Sequence, residues 1–206
     1  MIDNEQRIKI VSDEIAAGFT LMEGVNNGVT IFGSARAKKG SPYYNDARKL
    51  ASLLAKDNIS VITGGGPGIM EAANRGAFEV GGESIGLNIV LPYEQRSNPY
   101  LTKSFTFTYF YTRKLMLVRY SKAFIVFPGG FGTMDELFET INLINTERMP
   151  KCPIILVGKN FWQGLVSWIQ TQFADNEFAS EEEIQRFIIM DTPEEVAEYL
   201  IAHLNT

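Results

Sequence analysis

The sequence is poor in the residue types that build metal centres, disulfide frameworks and histidine-based active sites. It holds one cysteine, Cys152, and one histidine, His203, in 206 residues. A lone cysteine excludes an internal disulfide framework and any cysteine-cluster zinc site. With a single histidine, neither a His/Cys metal site nor a histidine-based triad is supported, and no metal and no cofactor is expected. His203 falls in the final helical pattern, where a surface or packing role is the ordinary reading. Positive charge is also scarce: 19 Lys and Arg face 24 Asp and Glu, a net charge of −5, with no basic run longer than Lys38-Lys39. Nucleic acid, which requires a positive face to meet its phosphates, is therefore not an expected partner. A small anionic ligand needs only a local pocket and stays open. Long apolar runs are missing too. Stretches such as Ala123–Phe127 fall far short of the ~20 residues that span a bilayer, and the first ten residues lack the basic and apolar regions of a signal peptide. The expectation is a cytoplasmic protein with no membrane partner.

What the chain does contain is alternation. Short β-rich runs at Val29–Gly33, Ile59–Thr63, Ser84–Val90, Phe105–Phe110, Ala123–Phe127, Ile154–Val157 and Phe187–Met190 have the length and glycine or proline borders of buried parallel strands. Helical patterns separate them at Asn45–Lys56, Ile69–Val80, Thr112–Tyr120, Thr133–Thr146 and Phe161–Phe173. A last helix follows Asp191-Thr-Pro-Glu-Glu195, where Pro193 and two carboxylates favour a helix start. Before the first strand, Ile8, Val11, Ile15, Phe19 and Met22 recur at spacings of three and four, the mark of an amphipathic helix. The predicted fold is α/β: a single Rossmann-like, doubly wound parallel sheet with helices on both faces and an extra N-terminal helix. Length favours one domain over residues 1–206, with residues 1–25 as its N-terminal helical extension.

Sheets of this kind bind ligands at the carboxyl ends of their strands. Two sequences fall there: Thr63-Gly-Gly-Gly-Pro-Gly-Ile-Met-Glu71 and Pro128-Gly-Gly-Phe-Gly-Thr-Met-Asp-Glu136. In each, a strand empties through glycines directly into a helix. Glycine permits close backbone approach, and the helix start offers unpaired N–H groups at the positive end of the dipole, which together hold a phosphate. A single such turn reads equally well as a tight connection; two in one chain favour an anion site. The Walker spacing is absent, and G-x-G-x-x-G fails from Gly64 and from Gly130, so neither an NTPase nor a standard dehydrogenase is indicated.

Several side chains near these turns have two readings. Thr133-Met-Asp-Glu136 fits a capping box, while a carboxylate beside a phosphate pocket would face the sugar of a nucleotide. Arg113-Lys114 opens a helical stretch, where cations meet the unfavourable end of the dipole; an anionic ligand would reverse that sign, and a solvated surface pair would tolerate it. The last aromatics of Phe105–Tyr111 belong to a core strand or wall a base pocket. Ser34 and Arg36 either touch a ligand or cap a turn. Glu71 and Glu94 are candidate pocket carboxylates whose ordinary reading, taken singly, is a solvated surface position.

Taken together, Gly64-Gly-Gly-Pro-Gly-Ile-Met-Glu71, Arg113-Lys114 and Pro128-Gly-Gly-Phe-Gly-Thr-Met-Asp-Glu136 resemble the LONELY GUY (LOG) family, the cytokinin riboside 5′-monophosphate phosphoribohydrolases, often labelled lysine decarboxylase-like. The likeness runs from about Val29 to Trp168. The third motif matches the family's P-G-G-x-G-T-x-x-E in full, with the arginine 23 positions before the glutamate. The resemblance implies a homodimer or higher homo-oligomer that cleaves the N-glycosidic bond of a nucleoside 5′-monophosphate to free base and ribose 5-phosphate. It assigns catalysis to Arg113 and Glu136. It assigns substrate contacts to Gly65, Gly66, Gly68 and Glu71, to Gly129, Gly130, Phe131, Gly132 and Thr133, and to Lys114, Glu94 and Asn142; Ser34 and Arg36 are further candidates. Asn142 stands where plant members tend to carry threonine, Tyr111-Thr112 precede Arg113 where they read H-x-R-K, and the N-terminal helix adds to their compact form. These departures concern the base more than the glycosidic chemistry. AMP is the alternative substrate, and a non-catalytic nucleotide or cofactor carrier on the same fold is the alternative function.

Overall fold

The computed structural model describes residues 3–92 and 97–204. Among them are seven strands, with helices between successive strands except between β3 and β4: β1 (Gly28–Phe32), β2 (Ser60–Thr63), β3 (Ser84–Ile89), β4 (Lys103–Phe107), β5 (Ser121–Val126), β6 (Ile154–Val157) and β7 (Phe187–Met190). The helices are α1 (Asn4–Leu21), α2 (Pro42–Lys56), α3 (Ile69–Glu79), α4 (Phe110–Arg119), α5 (Phe131–Asn145), α6 (Lys159–Asp175), the single turn α7 (Glu181–Ile184) and α8 (Pro193–Leu204). The strands form one sheet in the order β4-β3-β2-β1-β5-β6-β7, and every neighbouring pair is parallel. The chain builds outward from β1 to β4, then returns to the other side of β1 with β5. The order therefore reverses between β1 and β5, the place where sheets of this type open a ligand crevice.

The fold is the predicted Rossmann-like α/β sheet with its N-terminal helix. Side-chain alternation divides the core into two layers. Val29, Ile31, Val61, Ile125 and Val157 point toward α2, α3 and α8, while Phe32, Ile62, Leu87, Phe124 and Leu156 point toward α1, α4, α5 and α6. Both faces of the central strands are covered, which explains their continuous apolar sequence.

Two expectations change. The fourth strand is Lys103–Phe107 rather than Phe105–Phe110. It is an edge strand whose residues alternate between exposed and half-buried until Phe107, and it pairs only with β3, from Ile85↔Lys103 to Ile89↔Phe107. The aromatic run therefore continues through a turn into α4, which starts at Phe110. The buried stripe of α1 also differs from the one its apolar spacing suggests: Ile8 and Phe19 are exposed and Glu14 and Gly18 are buried, while Met22, at the C-cap, is buried as expected. The cause is close packing on α4, where a Cβ on Gly18 would sit 2.8 Å from Met116 Cγ.

Candidate active site

Both glycine-rich turns lie at the carboxyl ends of central strands, and the backbone of Ser34, just past β1, ties them together. Its N–H donates to the Pro128 carbonyl at 3.1 Å, and its carbonyl accepts from Ile69 N–H at 3.0 Å. The Ser34 hydroxyl accepts from Arg36 N–H at 3.1 Å, closing a small turn that leaves Arg36 exposed. The backbone of Ser34 is thus structural, and the Arg36 side chain faces solvent.

The first turn is held from below by a buried polar network. Thr63 Oγ1 donates to Asn74 Oδ1 at 2.6 Å and accepts from Gly65 N–H at 2.9 Å. Asn98 reaches across from the far side: its backbone N–H donates to Gly65 O at 2.9 Å, and its Nδ2 donates to Gly66 O at 3.1 Å and Asn74 Oδ1 at 2.9 Å. Gly68 is irreplaceable on two counts. It has φ +69° and ψ −128°, a region essentially closed to other residues, and a Cβ there would lie 2.3 Å from Ser34 O.

In the second turn, α5 begins at Phe131 with Gly130 as its N-cap, and no side chain caps it. The helix therefore starts two residues earlier than the sequence pattern suggests, and Thr133-Met-Asp-Glu136 lies inside it. The capping-box reading of Glu136 is overturned; its carboxylate is available for other work. Thr133 is buried, its side chain filling the space that a Cβ on Gly129 would need, 2.1 Å from Oγ1. Gly130 and Gly132 have open space around them, and Phe131 is 95% exposed. The first N–H groups of α5 lack intrahelical acceptors, as at any helix start. Here they border open space, as an anion site requires.

Arg113 joins the two turns. It leaves the first turns of α4 and runs inward, only 8% of its side chain exposed. Its Nε donates to the Leu87 carbonyl, in β3, at 2.7 Å. Its terminal nitrogen lies so close to Gly64 that a Cβ there would be 2.1 Å away. Nη1 stands 3.8 Å from Glu136 Oε1, an ion pair longer than a hydrogen bond. Burial lowers the Arg113 pKa, opposed by the Glu136 charge, though a guanidinium stays protonated. Glu136 has 17% of its side chain exposed, and burial raises its pKa from 4.5 to about 7 against the pull of Arg113 and Lys114. A cation and an anion are thus held close but not fully joined, between two phosphate-type turns.

The remaining predicted residues scatter. Lys114 sits next to the pair in sequence, but its ammonium is engaged by Asp135 at 2.7 Å and Glu139 at 2.9 Å, both on α5. Burial opposes its charge, yet the hydrogen bonds to those two carboxylates outweigh it and raise its pKa. Glu71 is buried rather than solvated: it accepts from the Tyr44 hydroxyl at 2.8 Å and pairs with Lys39 at 2.8 Å. Its partners lie on α2 and the loop before it, so its carboxylate is already satisfied there. Asn142 is exposed, a turn and a half beyond Glu136 on α5 and rotated to another face. Glu94 lies outside the described residues. A groove of about 1170 Å³ opens at the amino ends of β1, β5 and β6, lined among others by Asn27, Lys122 and Cys152. It shares Lys114 and Glu139 with the α4–α5 surface, and no residue of either glycine turn lines it. Among the described residues, no cluster of three or more His, Cys, Asp or Glu side chains is arranged to hold a metal, and no helix is long and apolar enough to cross a membrane.

Sequence reasoning missed Asn74 and Asn98, which look like ordinary polar residues until the sheet stacks them under the turn. It also missed Glu14, whose signal was visible: a lone carboxylate between Val11, Ile15 and Gly18 on one helical face.

The family described as "Possible lysine decarboxylase" matches residues 70–200. A probable cytokinin riboside 5′-monophosphate phosphoribohydrolase of Oryza sativa subsp. japonica is 27% identical over 208 residues, covering 98% of this chain and 82% of that protein. The cytokinin riboside 5′-monophosphate phosphoribohydrolase of Rhodococcoides fascians is 26% identical over 148 residues, 69% of this chain and 73% of its own. The chain spans less than two thirds of some other plant relatives, as in the 64% of the Oryza sativa enzyme named LOG. Among solved structures, TM1055 superposes with a TM-score of 0.64 at 26% identity, covering 84% of this chain and 98% of that one. The molybdenum cofactor binding protein of Rippkaea orientalis superposes with a TM-score of 0.63 at 24% identity, covering 87% and 96%, a likeness of fold alone. With its two glycine turns bridged by an arginine–glutamate pair, the chain belongs to the LOG family, the group described as "Possible lysine decarboxylase".

Proposed function

We propose that this protein hydrolyses the N-glycosidic bond of a nucleoside 5′-monophosphate, either a cytokinin riboside 5′-monophosphate or AMP, to free base and ribose 5-phosphate. The observation that carries the reading is the Arg113–Glu136 pair, 3.8 Å apart between two open helix starts. The glycine turns receive the phosphate on backbone N–H groups. As the C1′–N bond breaks, positive charge develops on the ribose, and the Glu136 carboxylate stabilises it. Water adds to C1′, and its proton passes to Glu136, whose pKa of about 7 suits a base at neutral pH. The base departs with the bond electrons and takes up a proton. Arg113, always charged, serves as an electrostatic clamp on the phosphate or on the negative charge of the departing base. Lys114 supports it indirectly by joining α4 to Asp135 and Glu139 of α5.

The protein acts in the cytoplasm as a homodimer or higher homo-oligomer. Phe110, Tyr111, Leu115, Phe131 and Phe138 leave an exposed apolar surface on α4 and α5 beside the site, which a second copy would cover. Light scattering on the purified protein tests this; a monomer at micromolar concentration rejects it.

The decisive experiment is a product assay with AMP and N6-isopentenyl-AMP supplied separately, free base being followed by chromatography. Release from either supports the hydrolase, and the rate ratio selects the base. Binding of AMP without release supports a carrier, the alternative function on the same fold.

A further inference from the structure

Glu14 is a carboxylate on the N-terminal helix with only 5% of its surface exposed. Acidic side chains are almost never buried this far without partners, and its partners are all at the start of α4. One carboxylate oxygen accepts the backbone N–H of Thr108, and the other lies 2.5 Å from the Thr112 hydroxyl that donates to it. Tyr109, the N-cap of α4, supplies no side-chain cap of its own. A residue 94 positions upstream of Thr108 thus ties the residue before the N-cap to the Thr112 side chain in the first turn, and sets a negative charge at the positive end of the α4 dipole. The contact continues along both helices: Gly18 lies against Met116, and the Arg119 guanidinium stands 5.6 Å over the Phe19 ring. The first turn of α4 is therefore seated on α1, and Arg113 is the residue immediately after Thr112.

We infer that Glu14 is a positioning residue for Arg113: by fixing the first turn of α4, the N-terminal helix holds the guanidinium against Leu87 O and opposite Glu136. The catalytic consequence rests on the reading of Arg113 and Glu136 given above. Displacement of a charged group by about 1 Å costs up to roughly a hundredfold in rate, and Glu14 is the side chain from another element that holds the turn just before Arg113.

The test uses the full chain with Glu14→Ala, Thr112→Val and the double substitution. Two readouts are taken: steady-state hydrolysis of the substrate accepted by the wild type, and the ¹³C NMR titration of the Glu136 carboxyl. The second does not depend on turnover. With Glu14→Ala, kcat falls about tenfold or more while KM changes less than about threefold. The Glu136 titration moves to higher pH, because the cation that opposes its protonation has shifted. Thr112→Val moves both readouts in the same direction by less, and the double variant is no worse than Glu14→Ala alone, as expected of coupled partners. A folded Glu14→Ala protein with wild-type kcat and an unmoved Glu136 titration overturns the inference. If Glu14→Ala does not fold, Thr112→Val decides by the same two readouts. If the wild type releases no base, the hydrolase reading falls, and the Glu136 titration alone decides: a shift upholds the positioning role, and no shift rejects it.

Discussion

Replacing Glu136 with glutamine changes one charge and almost no volume, so its effects on stability and on chemistry can be separated. The wild-type carboxyl has its pKa raised from 4.5 to about 7, burial being the dominant cause. A carboxyl raised on folding binds its proton more tightly in the native state. The stability this contributes is complete below pH 4.5 and is lost as pH rises through about 7. Above pH 7 the native protein carries a charge it would be more stable without. At 1.36 kcal/mol per pH unit, the gap sets an upper limit of about 3 kcal/mol on that cost. The 17% of the side chain that reaches solvent argues for a value below the limit. The glutamine variant mimics the protonated state at every pH. It should therefore match the wild type near pH 5 and melt higher at pH 8.5, by roughly 5 °C, given about 2–4 °C per kcal/mol for a chain of this size. Melting temperature followed by circular dichroism between pH 5 and 9 is the assay. The same variant should release no ribose 5-phosphate. A constant offset across the pH range, or a wild type more stable than the variant at pH 8.5, would refute the claim that the carboxylate is held desolvated. Normal turnover by the variant would remove Glu136 from the chemistry.

Arg113→Ala leaves the Leu87 carbonyl without its donor and Glu136 without its cation; we expect a loss of about 1–3 kcal/mol in urea unfolding and at least a hundredfold loss of kcat/KM in the product assay. Gly68→Ala forces a side chain into φ +69° and against Ser34 O, so it should cost about 2–3 kcal/mol by the same unfolding measurement and weaken phosphate binding measured by calorimetry. Asn98→Ala removes the donor to Gly66 O and Asn74, and KM for the nucleotide should rise more than kcat falls, since the turn loses its support while the charged pair stays in place. The wild-type kcat/KM should fall on the acid side of about pH 7, as Glu136 becomes protonated in the free enzyme; a profile flat from pH 5.5 to 8 would contradict its role as a carboxylate.

The fold was legible because its signals are local. Strands β6 and β7 have the boundaries their apolar runs suggest, and both glycine turns enter helices directly, as their composition requires. What failed depended on neighbours that no window of sequence contains. The run Phe105–Tyr111 reads as a buried strand, but β4 is an edge and the run ends in a helix whose start is fixed by Glu14. Glu71 reads as a surface carboxylate until α2 brings Tyr44 to it. Lys114 and Arg113, adjacent in sequence, part company because successive residues on a helix point about 100° apart: one turns to the carboxylates of α5, the other inward to β3.

The same geometry separates the two proposed readings, hydrolysis and carriage. Helix starts at the ends of β2 and β5 suffice to hold a phosphate, and they follow from strand order and glycine placement alone. Catalysis asks for something the fold does not supply by itself: a carboxylate kept out of water and a cation near enough to bind anions but too far to neutralise it. In the proposed hydrolase the 3.8 Å gap between Arg113 and Glu136 meets both conditions. A bidentate pair at hydrogen-bond distance would draw the Glu136 pKa down and leave the guanidinium with fewer donors for a ligand. A carboxylate with no cation nearby would be protonated at neutral pH and useless against a developing positive charge. The spacing is set by Arg113's hydrogen bond to Leu87 O on one side and by the glycines that start α5 on the other. Both anchors are backbone features, so a variant that keeps the pair but shifts the Leu87 backbone, away from the phosphate-binding turns, should lose turnover while still binding phosphate.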